Sequence, residues 1–266
     1  MTLKHYKRLW NLLDDGEPFS TLSSRLQPVI YGGLPCMLKI ASASEELRGN
    51  SLMSWYNGVG AAPVLQHDER ALLMERAMGQ NSLAEMARNG RDDEASSIIC
   101  SVTAKLHARK GPYPDYLIPL DIWFRDSEIA AAKYGGVFDS CSKIANKLLS
   151  NPVDQVVLHG DIHHGNILDF GTKGWLAIDP KGLLGERGFD YANLFCNPDI
   201  ETTAKPSRLV QQVKVVSADA GLDPKRLLQW IAAWAGLSAA WSLDDGGNAQ
   251  PAMTVAEMTL KELNII

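Results

Sequence analysis

The sequence lacks several features that would each point to a class of protein. Its four cysteines, Cys36, Cys100, Cys141 and Cys196, stand far apart and form no Cys-x-x-Cys pair. Reduced thiols in a cytoplasmic protein are the simplest account of them. No apolar run reaches membrane-spanning length, and the opening MTLKHYKRLWNLLDDGE has no uninterrupted apolar core of signal-peptide length. The chain is therefore expected to stay in the cytosol, away from membranes. Basic residues are not in excess: 26 Lys and Arg stand against 31 Asp and Glu, a net charge of −5. That balance argues against a nucleic-acid partner and leans toward a cationic ligand. There is no internal repeat and no low-complexity tract, and the sequence leaves the oligomeric state open.

What is present is ordinary for a globular protein with a real core: 266 residues, 45% hydrophobic and 21% charged, compatible with one large domain or with two lobes sharing a cleft. The most informative stretch, 156–180, reads VVLHGDIHHGNILDFGTKGWLAIDP. Its apolar runs, Val156-Val157-Leu158 and Ile167-Leu168, flank a polar segment too rich in His, Gly, Asp and Asn to bury itself, so a loop held by strands is expected. Phe170-Gly171-Thr172-Lys173-Gly174 has the content of a hairpin turn, and Trp175-Leu176-Ala177-Ile178 returns as a strand ending at Asp179. Such a hairpin brings Asp161, Asn166 and Asp179 to one edge, although 18 positions separate the two carboxylates. Converging oxygen ligands suit Mg²⁺ completed by substrate phosphates, the usual arrangement for phosphoryl transfer. The remaining Asp can then accept the proton of an attacking hydroxyl. His-Gly-Asp followed five residues later by Asn has the spacing of the kinase catalytic loop, which makes Asp161 the base and Asn166 a metal ligand. Two other readings stand beside it: a polar turn with His159 as a core histidine, and a zinc or dinuclear hydrolase site built from His159, Asp161, His163 and His164.

Upstream, 8–75 reads as mostly β. Residues 9–13 lead to a turn at Asp14-Asp15-Gly16, although Leu3, Tyr6, Trp10 and Leu13 also fit helical spacing. Strands over 25–31 and 36–40 are separated by Gly32-Gly33, and 71–75 is the last strand before a linker at 76–79. Lys39 inside an apolar strand either faces solvent on an edge or reaches a phosphate. A helix over 44–56 is opened by Ser44 as N-cap, with Glu45 and Glu46 in its first turn. Ser23 and Ser24 lie in a Ser/Thr-rich turn that could also contact phosphate. The remainder is largely helical. Ser82-Leu83-Ala84-Glu85 has the form of a capping box, 92–107 carries one apolar face, and Pro112, Pro114 and Pro119 mark a connector before helices at 122–132 and 137–149. Leu227, Trp230, Ile231, Trp234, Leu237, Ser238 and Trp241 form a core stripe at helical spacing, followed by a turn at Asp244-Asp245-Gly246-Gly247.

His159-Gly160-Asp161-Ile162-His163-His164-Gly165-Asn166 and Ile178-Asp179-Pro180 fill the pattern His-Gly-Asp-x-His-x-x-Asn and Ile-Asp-Pro, and so resemble the aminoglycoside phosphotransferases, which share the protein-kinase-like fold. Within them the chain looks most similar to the streptomycin 6-phosphotransferases of the aminoglycoside/hydroxyurea antibiotic resistance kinases. The match is carried by Leu22-Ser23-Ser24, Met37-Leu38-Lys39, Trp55 to Ala62, Leu72-Leu73-Met74-Glu75-Arg76, Gly174 to Pro180, Leu184-Gly185-Glu186-Arg187 and Leu237-Ser238-Ala239-Ala240-Trp241, nearly the whole chain.

The resemblance implies an α+β, bilobal fold: a small antiparallel β N-lobe over 1–78 that binds nucleotide, and a larger, mainly helical C-lobe over 79–266 that carries catalysis and the acceptor. It implies ATP and Mg²⁺, with Asp161 as catalytic base, Asn166 and Asp179 as metal ligands, and Lys39 pairing with phosphates and with Glu46. Ser23 and Ser24 replace a Gly-rich phosphate loop, and the backbone around Glu75 to Ala77 is the adenine hinge. The implied acceptor is a small cationic molecule, streptomycin or a related aminoglycoside, modified in antibiotic resistance. Hydroxyurea, another hydroxyl metabolite and a silent binding module are the alternatives. Asp190 is implied to be a buried cap on the catalytic loop, and members of the tryptophan stripe to wall the acceptor pocket. Lys181 and Gly165 depart from the family pattern; neither is expected to touch the metal ligands, although Lys181 should lie near the acceptor.

Overall fold

A computed structural model describes residues 2–266. The chain opens with a helix, α1 (Leu3–Leu9), whose first turn is capped by the Thr2 hydroxyl accepting from the His5 N–H. The helical spacing of Leu3 and Tyr6 therefore prevails over the expected strand at 9–13, of which only β1 (Leu13–Asp14) remains. The physical reason is burial: Leu3 and Tyr6 pack into a cluster with Val29, Leu38 and Leu73, a face that a strand would present only in part.

An antiparallel sheet follows, made of β1, β2 (Phe19–Ser20), β3 (Ser24–Tyr31), β4 (Leu34–Ala41), β5 (Val64–His67) and β6 (Ala71–Glu75). Its order is β1-β3-β4-β6-β5, with β2 on β3. Gly32 and Gly33, both at positive φ (57° and 84°), close the β3–β4 hairpin, where Tyr31 faces Leu34. Alternation along β4 puts Cys36, Leu38 and Ile40 into the cluster under α1, and leaves Met37 and Lys39 on the face turned to the rest of the chain. Helix α2 (Ser44–Tyr56) lies on that side. Ser44 is its first helical residue and not its cap; Ala43 occupies the capping position with no side-chain bond. Glu45 and Glu46 thus carry the favourable charge of the first turn.

Beyond α2 the chain turns at Asn57, which is left-handed (φ 50°), and crosses to the later hairpin: Ala62 donates to the Ala177 carbonyl and Ala177 donates to that of Gly60, both at 2.9 Å. After β6 the linker reaches Gly79, whose N–H bonds Asp169 O (2.9 Å) and where any side chain would collide with the Asp169 carboxylate.

The remainder is mainly helical. Helix α3 (Leu83–Arg88) has Ser82 as cap, accepting from Glu85 N. Helix α4 (Asp92–His107) begins with Asp92, Asp93 and Glu94 and ends with Lys105 and His107, charges that oppose its dipole at both ends. Next come β7 (Ile118–Pro119), α5 (Leu120–Trp123), α6 (Arg125–Tyr134) and α7 (Gly136–Ser150). The helix expected at 122–132 is thus two pieces that meet at Phe124. Strands β8 (Gln155–Leu158), β9 (Ile167–Asp169), β10 (Trp175–Ala177) and β11 (Leu183–Glu186) lead to α8 (Ile200–Thr203), α9 (Pro206–Ala220), α10 (Pro224–Asp244) and α11 (Gln250–Glu262). Helix α10 is buried along most of its length, Trp230 to Leu237 without a break, and packs against α7 and α11. A helix apolar all round belongs at the centre of a helical layer. One apolar cluster runs from Leu52 and Met74 through α4, α7 and α10 to Leu260. No helix among the described residues is long and apolar enough to cross a membrane.

Candidate active site

The loop 159–166 hangs between two strand pairs, β8 on β11 and β9 on β10. Its backbone is tied from below by Asp190, whose buried carboxylate accepts from His159 N (2.9 Å), Gly160 N (2.7 Å) and His107 Nε2 (2.8 Å). The expected cap is therefore in place, on a short 3-10 turn (Arg187–Tyr191). His107, at the end of α4, is a partner that sequence reasoning did not find. The ring of His159 accepts from Asp161 N at Nδ1 (3.2 Å), so Nε2 carries the proton and donates to Ile178 O (2.9 Å). Burial depresses the pKa of this imidazole, against the pull of nearby carboxylates. It is a neutral staple between loop and hairpin. Ile178 N also bonds Asn166 O at 2.9 Å.

Asp161 is held by two amides. Its Oδ1 accepts from Asn193 Nδ2 (2.8 Å), and its Oδ2 from Asn166 Nδ2 (3.1 Å), which also bonds the Asp161 carbonyl (2.9 Å). Asn193 is oriented in turn by Trp234, whose indole N–H donates to Asn193 Oδ1 (2.9 Å). This residue was missed in the sequence; its signal is a position one turn beyond Asp190 in the same segment. The carboxylate opens onto a cavity of about 480 Å³ lined among others by Glu45, Trp123, Lys181, Trp234, Trp241 and Asp245. Trp241 stands edge-on to Trp123 (5.3 Å) and Trp234 (5.7 Å), and donates its N–H to Asp126 (2.8 Å). The expectation that the tryptophan stripe serves both core and cavity wall describes this arrangement: Trp230 is fully buried, while Trp234 and Trp241 reach the cavity.

The second group of residues gathers around Lys39. The residue is only 5% exposed, and its ammonium is paired with both Glu46 and Asp179. Glu46 rather than Glu45 is the partner; Glu45 reaches Lys181 instead (3.2 Å). Burial raises the pKa of the Glu46 carboxyl, but the adjacent Lys39 outweighs it, and the same balance holds Asp179 below the usual carboxylate range. Ser24 donates its hydroxyl to Glu46 (3.2 Å), whereas Ser23 lends its carbonyl to Ser42 N (2.9 Å) and Oγ (2.7 Å). The strand expected to reach Asp179 stops at Ala177, and Asp179 itself is left-handed (φ 61°). That turn corrects another expectation. The Lys181 N–H donates to His159 O (2.6 Å) and its carbonyl accepts from Arg48 Nε (2.8 Å). The side chain swings onto α2 and does meet a presumed metal ligand: Nζ is 3.8 Å from Asp179 Oδ2 and 3.3 Å from Glu46 Oε1.

At the linker, Glu75 N donates to Pro63 O (2.9 Å). Pro63 has no N–H to return to the Glu75 carbonyl, and the Ala77 N–H makes no backbone bond among the described residues. An acceptor and a donor two residues apart form a pair suited to a heteroaromatic base. The Glu75 side chain points elsewhere, to Lys173 (2.6 Å).

The zinc-hydrolase reading fails on geometry: both ring nitrogens of His159 are engaged inside the protein, with Asp161 N and Ile178 O, and among the described residues no group of three or more His, Cys, Asp or Glu is gathered for a metal ion. His164 in particular is buried with both ring nitrogens unpaired, its pKa pushed down to about 3 by burial and by Arg208. Asn166 spends its N–H₂ end on Asp161, which leaves its side-chain oxygen without a hydrogen bond among the described residues, and the Ile178 N–H that bonds the Asn166 carbonyl ties it to the residue before Asp179. Two oxygens fit a Mg²⁺-type ion that takes its other ligands from phosphates and water. The cluster of Glu45, Glu46, Asp161 and Asp179 around Lys39 and Lys181 also carries the surplus negative charge that a divalent cation would balance.

Comparison with known proteins agrees with this architecture. The sequence model of the aminoglycoside/hydroxyurea antibiotic resistance kinases matches residues 9–246. The chain is 49% identical to a streptomycin 3''-kinase of Klebsiella pneumoniae, over 89% of this chain and 91% of that one. It is 30% identical to a streptomycin 6-kinase of Streptomyces griseus, over 89% and 80%. Among solved structures it resembles an aminoglycoside phosphotransferase in ternary complex with ADP and hygromycin B, with a TM-score of 0.64 and 15% identity over 96% of this chain and 95% of that one. The protein-kinase-like fold expected from the sequence is thereby shown.

Proposed function

Because the chain belongs to the aminoglycoside/hydroxyurea antibiotic resistance kinases, we propose that it transfers the γ-phosphoryl group of ATP to a hydroxyl of streptomycin. The observation that carries this reading is the convergence of Asp161, Asn166, Asp179, Lys39 and Glu46 beside one aromatic and acidic cavity. In this reading 1–78 is the nucleotide lobe and 79–266 the catalytic lobe. The Glu75 carbonyl and Ala77 N–H receive adenine, and Lys39, braced by Glu46, faces the phosphates, with Ser23 and Ser24 at the turn above them. Asn166 and Asp179 hold Mg²⁺, which when bound lends its charge to the triphosphate.

Asp161, steadied by Asn166 and Asn193, orients the acceptor hydroxyl and takes its proton. The acceptor oxygen bonds the γ-phosphorus as the bond from that phosphorus to the bridging oxygen breaks, and ADP leaves. Phosphorylation adds charge and bulk to a drug whose cationic groups grip ribosomal RNA, which accounts for resistance. The cavity's volume and tryptophan walls favour an acceptor of sugar size over hydroxyurea.

The test is ADP release across a panel of streptomycin, other aminoglycosides, hydroxyurea and simple sugars. Streptomycin is expected to dominate; release with none of them would remove the reading. The relatives' names divide between the 3'' and 6 hydroxyls, and phosphorus–proton correlation NMR of the product identifies the position.

A further inference from the structure

Lys181 is a cation in the wrong company for a site that receives a cationic acceptor. The cavity it lines also presents Glu45, Asp161 and Asp245 and is walled by tryptophan. An ammonium there repels guanidinium and amine groups, so the charge serves something else. Its head lies 3.8 Å from Asp179 and 3.3 Å from Glu46, on the nucleotide side, yet it lines the same cavity as Asp161, on the acceptor side. That is the interval a phosphoryl group crosses. Its backbone is pinned at both ends, by His159 O (2.6 Å) and Arg48 Nε (2.8 Å), and a Cβ on Gly160 would sit 3.0 Å from the Lys181 Cβ. The side chain therefore starts from a fixed point.

We propose that Lys181 is a second phosphate-directed cation, contacting the transferring γ-phosphoryl group from the acceptor side; the proposal rests on the phosphotransferase reading above. Were Asp179 to hold Mg²⁺, its carboxylate would no longer balance the Lys181 ammonium 3.8 Å away, and that positive charge would be available to the γ-phosphate oxygens. Lys181 gives up no proton and forms no covalent bond: the acceptor oxygen gains the phosphorus, the oxygen of ADP loses it, and Asp161 keeps the hydroxyl proton. A fixed positive charge where phosphoryl charge redistributes acts electrostatically, as other preorganised groups do.

The test compares binding of ADP and of a non-hydrolysable ATP analogue by calorimetry, with Mg²⁺ and without acceptor, for wild type, Lys181→Met and Lys181→Arg. Lys181→Met should weaken the ATP analogue by about 10-fold or more while leaving ADP within about 2-fold, because only the analogue carries the third phosphate. Its kcat should fall about 100-fold, and Lys181→Arg should recover part of both losses. Equal weakening of the two nucleotides, or none, overturns the proposal and leaves Lys181 as a tie between α2 and the loop. If Lys181→Met does not fold, Lys181→Gln carries the same comparison. A wild-type protein that binds neither nucleotide overturns the phosphotransferase reading itself, and the proposal with it.

Discussion

Replacing Asp190 with Asn isolates the strut beneath the catalytic loop. The carboxylate is buried and receives N–H groups from His159, Gly160 and His107. An amide of the same shape accepts through one oxygen only. Its N–H₂ end must then face at least one of these donors, which has no water to turn to. Each buried donor left unmet costs about 1–3 kcal/mol, so with one or two orphaned the loss is about 2–4 kcal/mol. In a chain of this size each kcal/mol lowers Tm by about 2–4 °C, which places the drop at roughly 5–15 °C. Thermal melting followed by circular dichroism measures it. Because the same bonds hold Gly160 next to Asp161, kcat should fall as well, with little change in nucleotide affinity. An Asn variant that melts within about 2 °C of wild type refutes the reasoning, since the donors would then have found other partners.

Asn193→Ala removes the bond to Asp161 Oδ1 and strips the Trp234 N–H of its acceptor; steady-state kinetics should show kcat down by about 10-fold with nucleotide KM unchanged. His164 supplies a pH prediction. It stays neutral in the folded chain down to about pH 3 but takes up a proton in the unfolded chain near the ordinary imidazole value of 6.5. Its contribution is thus complete above pH 6.5 and is lost at about 1.4 kcal/mol per pH unit below it, a loss of about 2 kcal/mol by pH 5. Urea unfolding at pH 7 and pH 5 should show a smaller acid penalty for His164→Leu than for wild type; identical penalties would contradict this assignment.

The residues legible in the sequence were those whose spacing the chemistry itself dictates. Asp161, Asn166 and Asp179 stand at the intervals that the proposed metal site and proton transfer would require. Lys39 betrayed itself as a charge in an apolar strand, and the bounds of α2, α4 and β6 follow from acidic first turns and local periodicity. Residues at 9–13 fit two periods at once, and only the burial of Tyr6 beneath the sheet decides between them. Strand β5 is short and bulged at Val64 and Gln66, too brief for alternation to show. The contacts of Lys181 with Glu46 and Asp179, and the parts played by Asn193 and His107, are not legible, since they depend on the direction of a left-handed turn at Asp179 and on contacts such as the one across the 83 positions between His107 and Asp190.

In the proposed mechanism Asp161 takes the acceptor proton while Lys39, braced by Glu46, faces the phosphates. The most direct measurement is streptomycin-dependent ADP release by Asp161→Asn, run beside calorimetric titration of the same protein with Mg²⁺ and ATP. Turnover lower by about 100-fold or more with nucleotide affinity roughly intact is the predicted result. Turnover equal to wild type would contradict the account.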